Sequence, residues 1–475
     1  MAKNREERTT IEDTKGETVT TNRQALRKVR ISNDDADSGV ECDPRKPITA
    51  LTSLECVEPD IQSLHDACIH WGKNLTITKI AQGSYATIFR MQMKAEPNVY
   101  TVWKLIPLKN RTGRGCRAPD QTFIEDAAAE VKVLALMAEI EGFVEYRSAR
   151  VLQGSMPLLL QKLNTDWQTI HPDEETGIKY RKDQMWLLVE MSDAGTDLET
   201  LLKNGFLNGE LLPKAENDAK LTIQQTWDIF WGTAEALARG EAIARFEHRD
   251  LHPGNICISI RATPLNKSDK YTVSKNTNFE VTIIDYTLSR ATLENDEVLA
   301  NSMKDRSIFG QSSLDRTDNR QYSMYRYMRS LVEGGANVRH GKQWHEFIPM
   351  TNILWLYHIL KFLLDNTESY SQDPTGKDIT VPKERKLAER LAKIVHRMDP
   401  INLNEWLYLS AGDVVSEEVV YNTGIERGVL SLGINDFPED SEIMAKHRRA
   451  RWTRCALKSA QQGSSKGQRV VKKAG

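Results

Sequence analysis

The sequence predicts an α+β fold in two lobes, a small antiparallel-sheet lobe followed by a larger, mainly helical one. Period-two alternation in short runs between Leu75 and Leu108 predicts the first, and apolar stripes at helical spacing after Leu221 predict the second. A third observation joins them, the loop His248-Arg249-Asp250-Leu251-His252-Pro253-Gly254-Asn255, which follows the first long helical stripe and precedes an apolar strand. With 475 residues, 40% hydrophobic and 27% charged, the chain can bury one such core and still leave unstructured ends.

Taken in order, residues 1–55 are rich in Thr, Asp, Glu, Arg and Asn without sustained periodicity, which predicts a disordered region with folding beginning near Cys56. The first lobe, residues 56–191, holds strands broken at Gly83 and at Pro97-Asn98, a helix over FIEDAAAEVKVLALM and a linking strand over QMWLLVEM. The second lobe, residues 192–442, opens on a helix between Leu221 and Arg245. Its apolar residues Ile223, Trp227, Phe230, Trp231, Ala234, Leu237 and Ala238 mark one buried face. Two further helices are predicted over TNILWLYHILKFLLDN and ERKLAERLAKIVHRM, and a polar hairpin insertion over 262–279, between CISI and VTIID.

The tail, residues 443–475, holds ten Lys/Arg and no Asp/Glu, leaving the remainder at −12 although the whole chain is −2. Its stretch Lys446, Arg448, Arg449, Arg451 and Arg454 suits a contact with chromatin or nucleic acid, or a nuclear address; a solvated end is the alternative. No apolar run approaches the roughly 18 residues that span a bilayer, and MAKNREERTT lacks a following apolar segment, so neither membrane anchor nor secretion is expected. Six cysteines are scattered without a CxxC pair, which predicts neither zinc nor disulfides and a reducing compartment, nucleus or cytosol, with the nucleus favoured.

The chemistry is concentrated in the loop. An Asp with Asn five residues beyond it matches the catalytic loop of protein kinases, where the Asp250 carboxylate would orient a substrate hydroxyl and Asn255 would hold magnesium. Thirty residues on, Asp285 leaves the apolar strand of Ile283-Ile284-Asp285-Tyr286-Thr287, the place of a second magnesium ligand. Upstream, Ile80-Ala81-Gln82-Gly83-Ser84-Tyr85-Ala86-Thr87-Ile88 fits a glycine-rich turn over the phosphates of ATP, with Ile80, Gly83, Ser84 and Ile88 against the nucleotide; a plain hairpin is the alternative. Lys104 would pair with the α- and β-phosphates, and alternation places Val102 on its face, toward adenine, with Trp103 opposite. A helical glutamate should hold this lysine. Glu130 is favoured over Glu125, because it precedes the apolar series Val131, Leu134 and Met137.

Through FEHRDLHPGN, IIDYTLSR, QYSMYRYMR and TNILWLYHIL the sequence resembles the haspin family of atypical serine/threonine kinases over roughly residues 75–400. The resemblance implies the bilobal eukaryotic protein kinase fold, ATP and Mg2+ as cofactors, and a catalytic set of Lys104, Glu130, Asp250, Asn255 and Asp285. His252 matches the family's histidine two residues after the catalytic Asp. It also implies Met191 as gatekeeper, Ser192 and Asp193 along the adenine hinge, and Asp197 near the ribose and the peptide. No Ala-Pro-Glu motif follows Asp285, which fits a family whose activation segment needs no phosphorylation. The implied partner is a basic protein segment, such as a histone tail, held by carboxylates including Asp197 and Glu199. Asp318 stands beside Asn319 where the family pattern has an acidic pair. Two other functions fit parts of the pattern. A small-molecule phosphotransferase of the aminoglycoside or choline kinase type would share Leu251 to Asn255, and a nucleotide-binding pseudokinase scaffold would account for Ala81 and Ala86.

Overall fold

A computed structural model describes residues 46–83, 86–109, 121–172, 180–204, 206–207, 210–211, 220–260, 277–301, 303, 309, 320–333, 343–368, 382–400 and 408–426. Ser84, the pair Asp318 and Asn319, most of the 262–279 insertion and the basic tail lie outside them. The sequence predicts that folding begins near Cys56. The chain is ordered earlier, because Leu51 on helix α1 (Lys46–Thr52) is wholly buried in the core that also takes in α3 (Ile124–Met137).

The first lobe follows α1 with β1 (Glu58–Ser63), α2 (Leu64–Asn74), β2 (Leu75–Gln82), β3 (Thr87–Met93), β4 (Glu96–Lys109), β5 (Thr122–Phe123) and α3. After these come β6 (Tyr146–Gln153), α4 (Leu158–Ile170) and β7 (Met185–Ser192). Its main sheet runs β1-β6-β7-β4-β3-β2, with β5 beside β4. The sheet is antiparallel from β6 to β2 as expected, but β1 joins β6 and β5 joins β4 in parallel, since each enters from outside the hairpin succession. Alternation along β4 separates two faces. Trp103 packs edge-on against Trp71 of α2 at 4.6 Å, whereas Lys104 turns to the opposite side.

The second lobe begins with β8 (Thr196–Asp197), α5 (Leu198–Asn204), β9 (Phe206–Leu207), β10 (Glu210–Leu211) and α6 (Ile223–Ala244). Strands β11 (Ile256–Ile260), β12 (Phe279–Ile283), β13 (Arg290–Thr292) and β14 (Val298–Ala300) follow. Helices α7 (Arg320–Glu333), α8 (Met350–Asp365), α9 (Pro382–Arg397) and α10 (Ala411–Glu426) complete it. Thr222 and Gln225 start α6 with a capping box, each side chain accepting from the other's backbone N–H. The expected single buried face understates this helix. Thr226, Asp228, Thr233, Glu235 and Glu241 are buried too, because α8, α9, α10 and β12 enclose it. As predicted, β11 and β12 pair antiparallel on either side of the insertion, and they carry the chain from Asn255 to Asp285.

Candidate active site

Register places the lysine. Ile88 pairs with Lys104 and Arg90 with Val102, so these four share the face of the sheet that looks onto the cleft. Lys104 Nζ donates to Glu130 Oε1 at 2.6 Å and to Asp285 Oδ1 at 3.2 Å. Of the two glutamates weighed above, Glu130 is therefore the one that α3 presents to the lysine. Burial opposes the charge on Lys104, but the two carboxylates outweigh it and push its pKa up. At the tip of β2, Gly83 N donates to Ala86 O at 2.9 Å and closes the turn, while Ile80 stands 40% exposed beside a bulge in the strand.

Asp285 leaves β12 with φ 62, a left-handed conformation that Asp tolerates better than most residues. Desolvation opposes its charge even though the side chain is 41% exposed, yet Lys104 and a 2.6 Å hydrogen bond from Thr287 Oγ1 hold it well below the usual carboxylate range. Thr287 Oγ1 also lies 3.3 Å from Glu130 Oε2, so the threonine ties the acidic strand end to the helical glutamate. Between them Tyr286 turns inward against Phe143, Phe246 and His248, and its hydroxyl donates to Ile283 O at 2.9 Å. A phenylalanine there would fill the space but leave that bond unmade.

The catalytic-loop residues are fixed from below. Arg249 is fully buried with φ 64, and its Nε meets Glu247 Oε2 at 3.1 Å; Glu247 also accepts from Ile348 N and Thr351 Oγ1, each at 2.8 Å. Asp250 N donates to His248 Nδ1 at 3.3 Å, and Asp250 O accepts from Asn255 Nδ2 at 2.8 Å. That bond uses the amide's nitrogen and leaves its acceptor oxygen Oδ1 for a cation. His252 Nδ1 accepts from Gly254 N at 3.1 Å and caps the short turn Pro253–Asn255. A Cβ on Gly254 would come 2.9 Å from the His252 ring, which explains the glycine. Tyr325 of α7 donates its hydroxyl to Asp250 Oδ1. Burial pushes the Asp250 carboxyl up to about 8, with the Tyr325 hydrogen bond pulling it down and the Asp285 charge adding to the rise.

Between the lobes, Met191 pairs with Val102 and Ser192 with Thr101 at the end of β7. Asp193 meets Arg90 Nη2 at 2.5 Å, and the Arg90 guanidinium lies 4.1 Å over the Tyr100 ring. Gly195 has φ 93, and a Cβ there would fall 2.2 Å from Ile258 O, so only glycine lets the link pass β11. Asp197 then caps α5, accepting from Thr200 N at 2.9 Å. Four contacts have no counterpart in the sequence reading: Tyr325 on Asp250, Thr287 on Glu130, Glu247 on Arg249 and Arg90 on Asp193. Each joins residues whose partnership no local spacing announces, apart from Glu247 and Arg249, whose opposite charges stand two apart in the motif.

A strand-borne lysine held by a helical glutamate, facing an acidic residue at a strand end and an Asp–Asn loop, is the cleft of a bilobal protein kinase fold. Residues 50–415 match the family model described as Haspin like kinase domain, and the chain belongs to that family. It is 25% identical over 349 residues to a Schizosaccharomyces pombe serine/threonine-protein kinase haspin homolog, covering 68% of this chain and 61% of that protein. A Drosophila melanogaster serine/threonine-protein kinase haspin homolog is 28% identical over 338 residues, 66% of this chain and 53% of its own. Bos taurus serine/threonine-protein kinase haspin is 27% identical over 311 residues, 62% and 35% respectively. The matched part is thus between about a third and three-fifths of these relatives' length. Among the described residues no helix is long and apolar enough to cross a membrane.

Proposed function

We propose that this chain is an ATP- and magnesium-dependent serine/threonine protein kinase that phosphorylates a hydroxyl in a basic protein segment, such as a histone tail. The observation that carries the reading is the convergence of Lys104, Glu130 and Asp285 within hydrogen-bond reach in the cleft that also holds Asp250 and Asn255. Phosphoryl transfer asks a protein chiefly for positioning and charge stabilisation, and these residues offer both. Lys104, held by Glu130, would engage the α- and β-phosphates. The Asp285 carboxylate and the Asn255 amide oxygen are hard oxygen donors that suit magnesium, which favours such ligands and retains water. When bound, the ion would neutralise charge on the transferring phosphate. Asp250 would orient the substrate hydroxyl and receive its proton.

Val102 and Ile80 offer apolar surface to adenine, and Met191, Ser192 and Asp193 line its edge. Arg249 is buried on Glu247, which braces the loop from within. The acidic body, at −12 outside the tail, suits a basic peptide, and Asp197 and Glu199 stand at the start of α5 for its cations. The tail of ten Lys/Arg would retain the enzyme on chromatin or nucleic acid, in the nucleus. Deleting residues 443–475 should then release it from nuclei while sparing transfer to short peptides; unchanged retention would reduce the tail to a passive end.

The test is radiolabelled phosphate transfer from ATP with magnesium to a histone-tail peptide, a generic basic protein and a small-molecule panel, with Asp250→Asn as control. Label on the peptide threonine, lost in the variant, is the expected result. Label only on small molecules would overturn the protein substrate, and nucleotide binding without any transfer would leave a scaffold.

A further inference from the structure

We propose that Tyr325 is a positioning residue for phosphoryl transfer, holding one oxygen of the Asp250 carboxylate so that the other faces the incoming substrate hydroxyl. The inference rests on the reading of Asp250 given above and adds a residue from outside the catalytic loop.

The loop pins the backbone of Asp250 through His248, Asn255 and the His252 N–H, which donates to Asp250 O at 2.9 Å. The carboxylate is a separate matter, because rotation about a terminal bond to an sp² carbon is broad and intrinsically poorly set. Its orientation is set by a donor 75 residues further on, the Tyr325 hydroxyl. That hydroxyl is itself well placed. The Tyr325 ring is only 6% exposed and stands edge-on to Trp355 of α8 at 5.2 Å, and Gln321 Nε2 lies 3.4 Å from its oxygen. Trp355 is fully buried, so the ring rests on a rigid floor. A neutral phenol suits the task, since it orients a carboxylate by one hydrogen bond without neutralising it, whereas a lysine or arginine there would bring a full opposite charge. The hydroxyl and the ring also have separable roles: phenylalanine keeps the packing on Trp355 and removes only the hydrogen bond.

The experiment compares the full chain with Tyr325→Phe in steady-state transfer from ATP with magnesium to the best acceptor peptide. Tyr325→Phe should lower kcat by about 10- to 100-fold, the loss expected when a reacting group is misaligned, while KM for ATP and the thermal midpoint barely move. Added to Asp250→Asn, the same change should cost nothing further, because two residues that act through one another are not additive. An unchanged kcat would overturn the inference, as would a raised kcat, which would make the hydroxyl a plug in the substrate's place. A matched loss of nucleotide affinity would also overturn it, by showing a distorted cleft. If the unmodified chain bound nucleotide but transferred phosphate to no acceptor, the reading of Asp250 would fail and take the inference with it; normal turnover in Tyr325→Phe sinks the inference alone.

Discussion

Two carboxylates in one cleft show opposite behaviour. Asp250 is half-buried and the Asp285 side chain is 41% exposed, and what desolvation each suffers favours the neutral acid. Asp285 has a lysine at 3.2 Å and a threonine hydroxyl at 2.6 Å, and is held ionised. Burial carries Asp250 up to about 8; among the described residues its carboxylate accepts from a neutral tyrosine and has a negative neighbour in Asp285. The difference teaches that neighbours and burial together divide the labour: a cation holds the more exposed Asp285 charged, and a neutral phenol leaves the more buried Asp250 poised. A carboxylate kept charged suits a metal, and one poised near neutrality suits a proton.

The largest break in this comparison should come from Asp285→Asn. It removes the charge that Lys104 neutralises and the anionic donor for magnesium, so kcat should fall by at least about 100-fold. Lys104 keeps Glu130 at 2.6 Å, so the lobe should stay folded. Transfer at the unmodified rate, with an unchanged circular dichroism spectrum, would remove Asp285 from the site. A smaller loss, about 10-fold or more and expressed partly in nucleotide affinity, is expected of Glu130→Gln, which leaves Lys104 to lean on Asp285 alone. Glu125→Gln should stay within about twofold. Reversed ranks would assign the lysine's partner to the other glutamate.

The contrast can be sharpened with pH. Asp250 must be ionised to accept a proton, and its charged fraction grows as pH rises through about 8, so kcat/KM for the peptide should climb from pH 6 through pH 8 and level only above about pH 9. With ATP and magnesium saturating, the added cation favours the carboxylate and should move that limb to lower pH. A flat profile down to pH 5 would mean that Asp250 titrates like an exposed carboxylate.

How much of this was legible depended on how local each feature is. The loop from His248 to Asn255, the strand end at Asp285 and the strand lysine at 104 are short segments whose residue types state their chemistry, and all converge on one cleft. The choice of Glu130 followed from helical periodicity, since the apolar residues after it must face the core. Helix α4 is not among the elements predicted from the sequence, although Leu160, Leu163 and Trp167 recur at helical spacing; its stripe is narrow, with only Leu160 and Asn164 buried while Leu158 and Ile170 stand exposed. In α1 Leu51 is buried and Ile48 packs partly against the same core, too weak a signal within a short segment. Tyr325 lies on a stripe with Met324, Met328 and Val332 that reads as ordinary core; that its hydroxyl reaches Asp250 is a fact of tertiary packing alone.

The smallest effect on turnover should come from a third carboxylate, and it guards against reading too much into a raised pKa. Burial also pushes Glu241 up to about 8, although Asn352 Nδ2 at 3.0 Å and the N–H groups of Ala411 and Gly412 at 3.1 and 3.3 Å pull it down. Its partners are the first residues of α10 and a side chain of α8, so it fastens helices and touches nothing in the cleft. Glu241→Gln should therefore change kcat by less than about twofold. Its signature should be thermodynamic instead. A folded-state pKa above the ordinary 4.5 means that this group's stabilisation is present below pH 4.5 and is lost as pH rises through about 8. The thermal midpoint of the unmodified chain, relative to Glu241→Gln, should fall between pH 5 and pH 8. A constant difference would show that Glu241 stays charged throughout, with the α10 N–H groups outweighing burial as Lys104 does at Asp285.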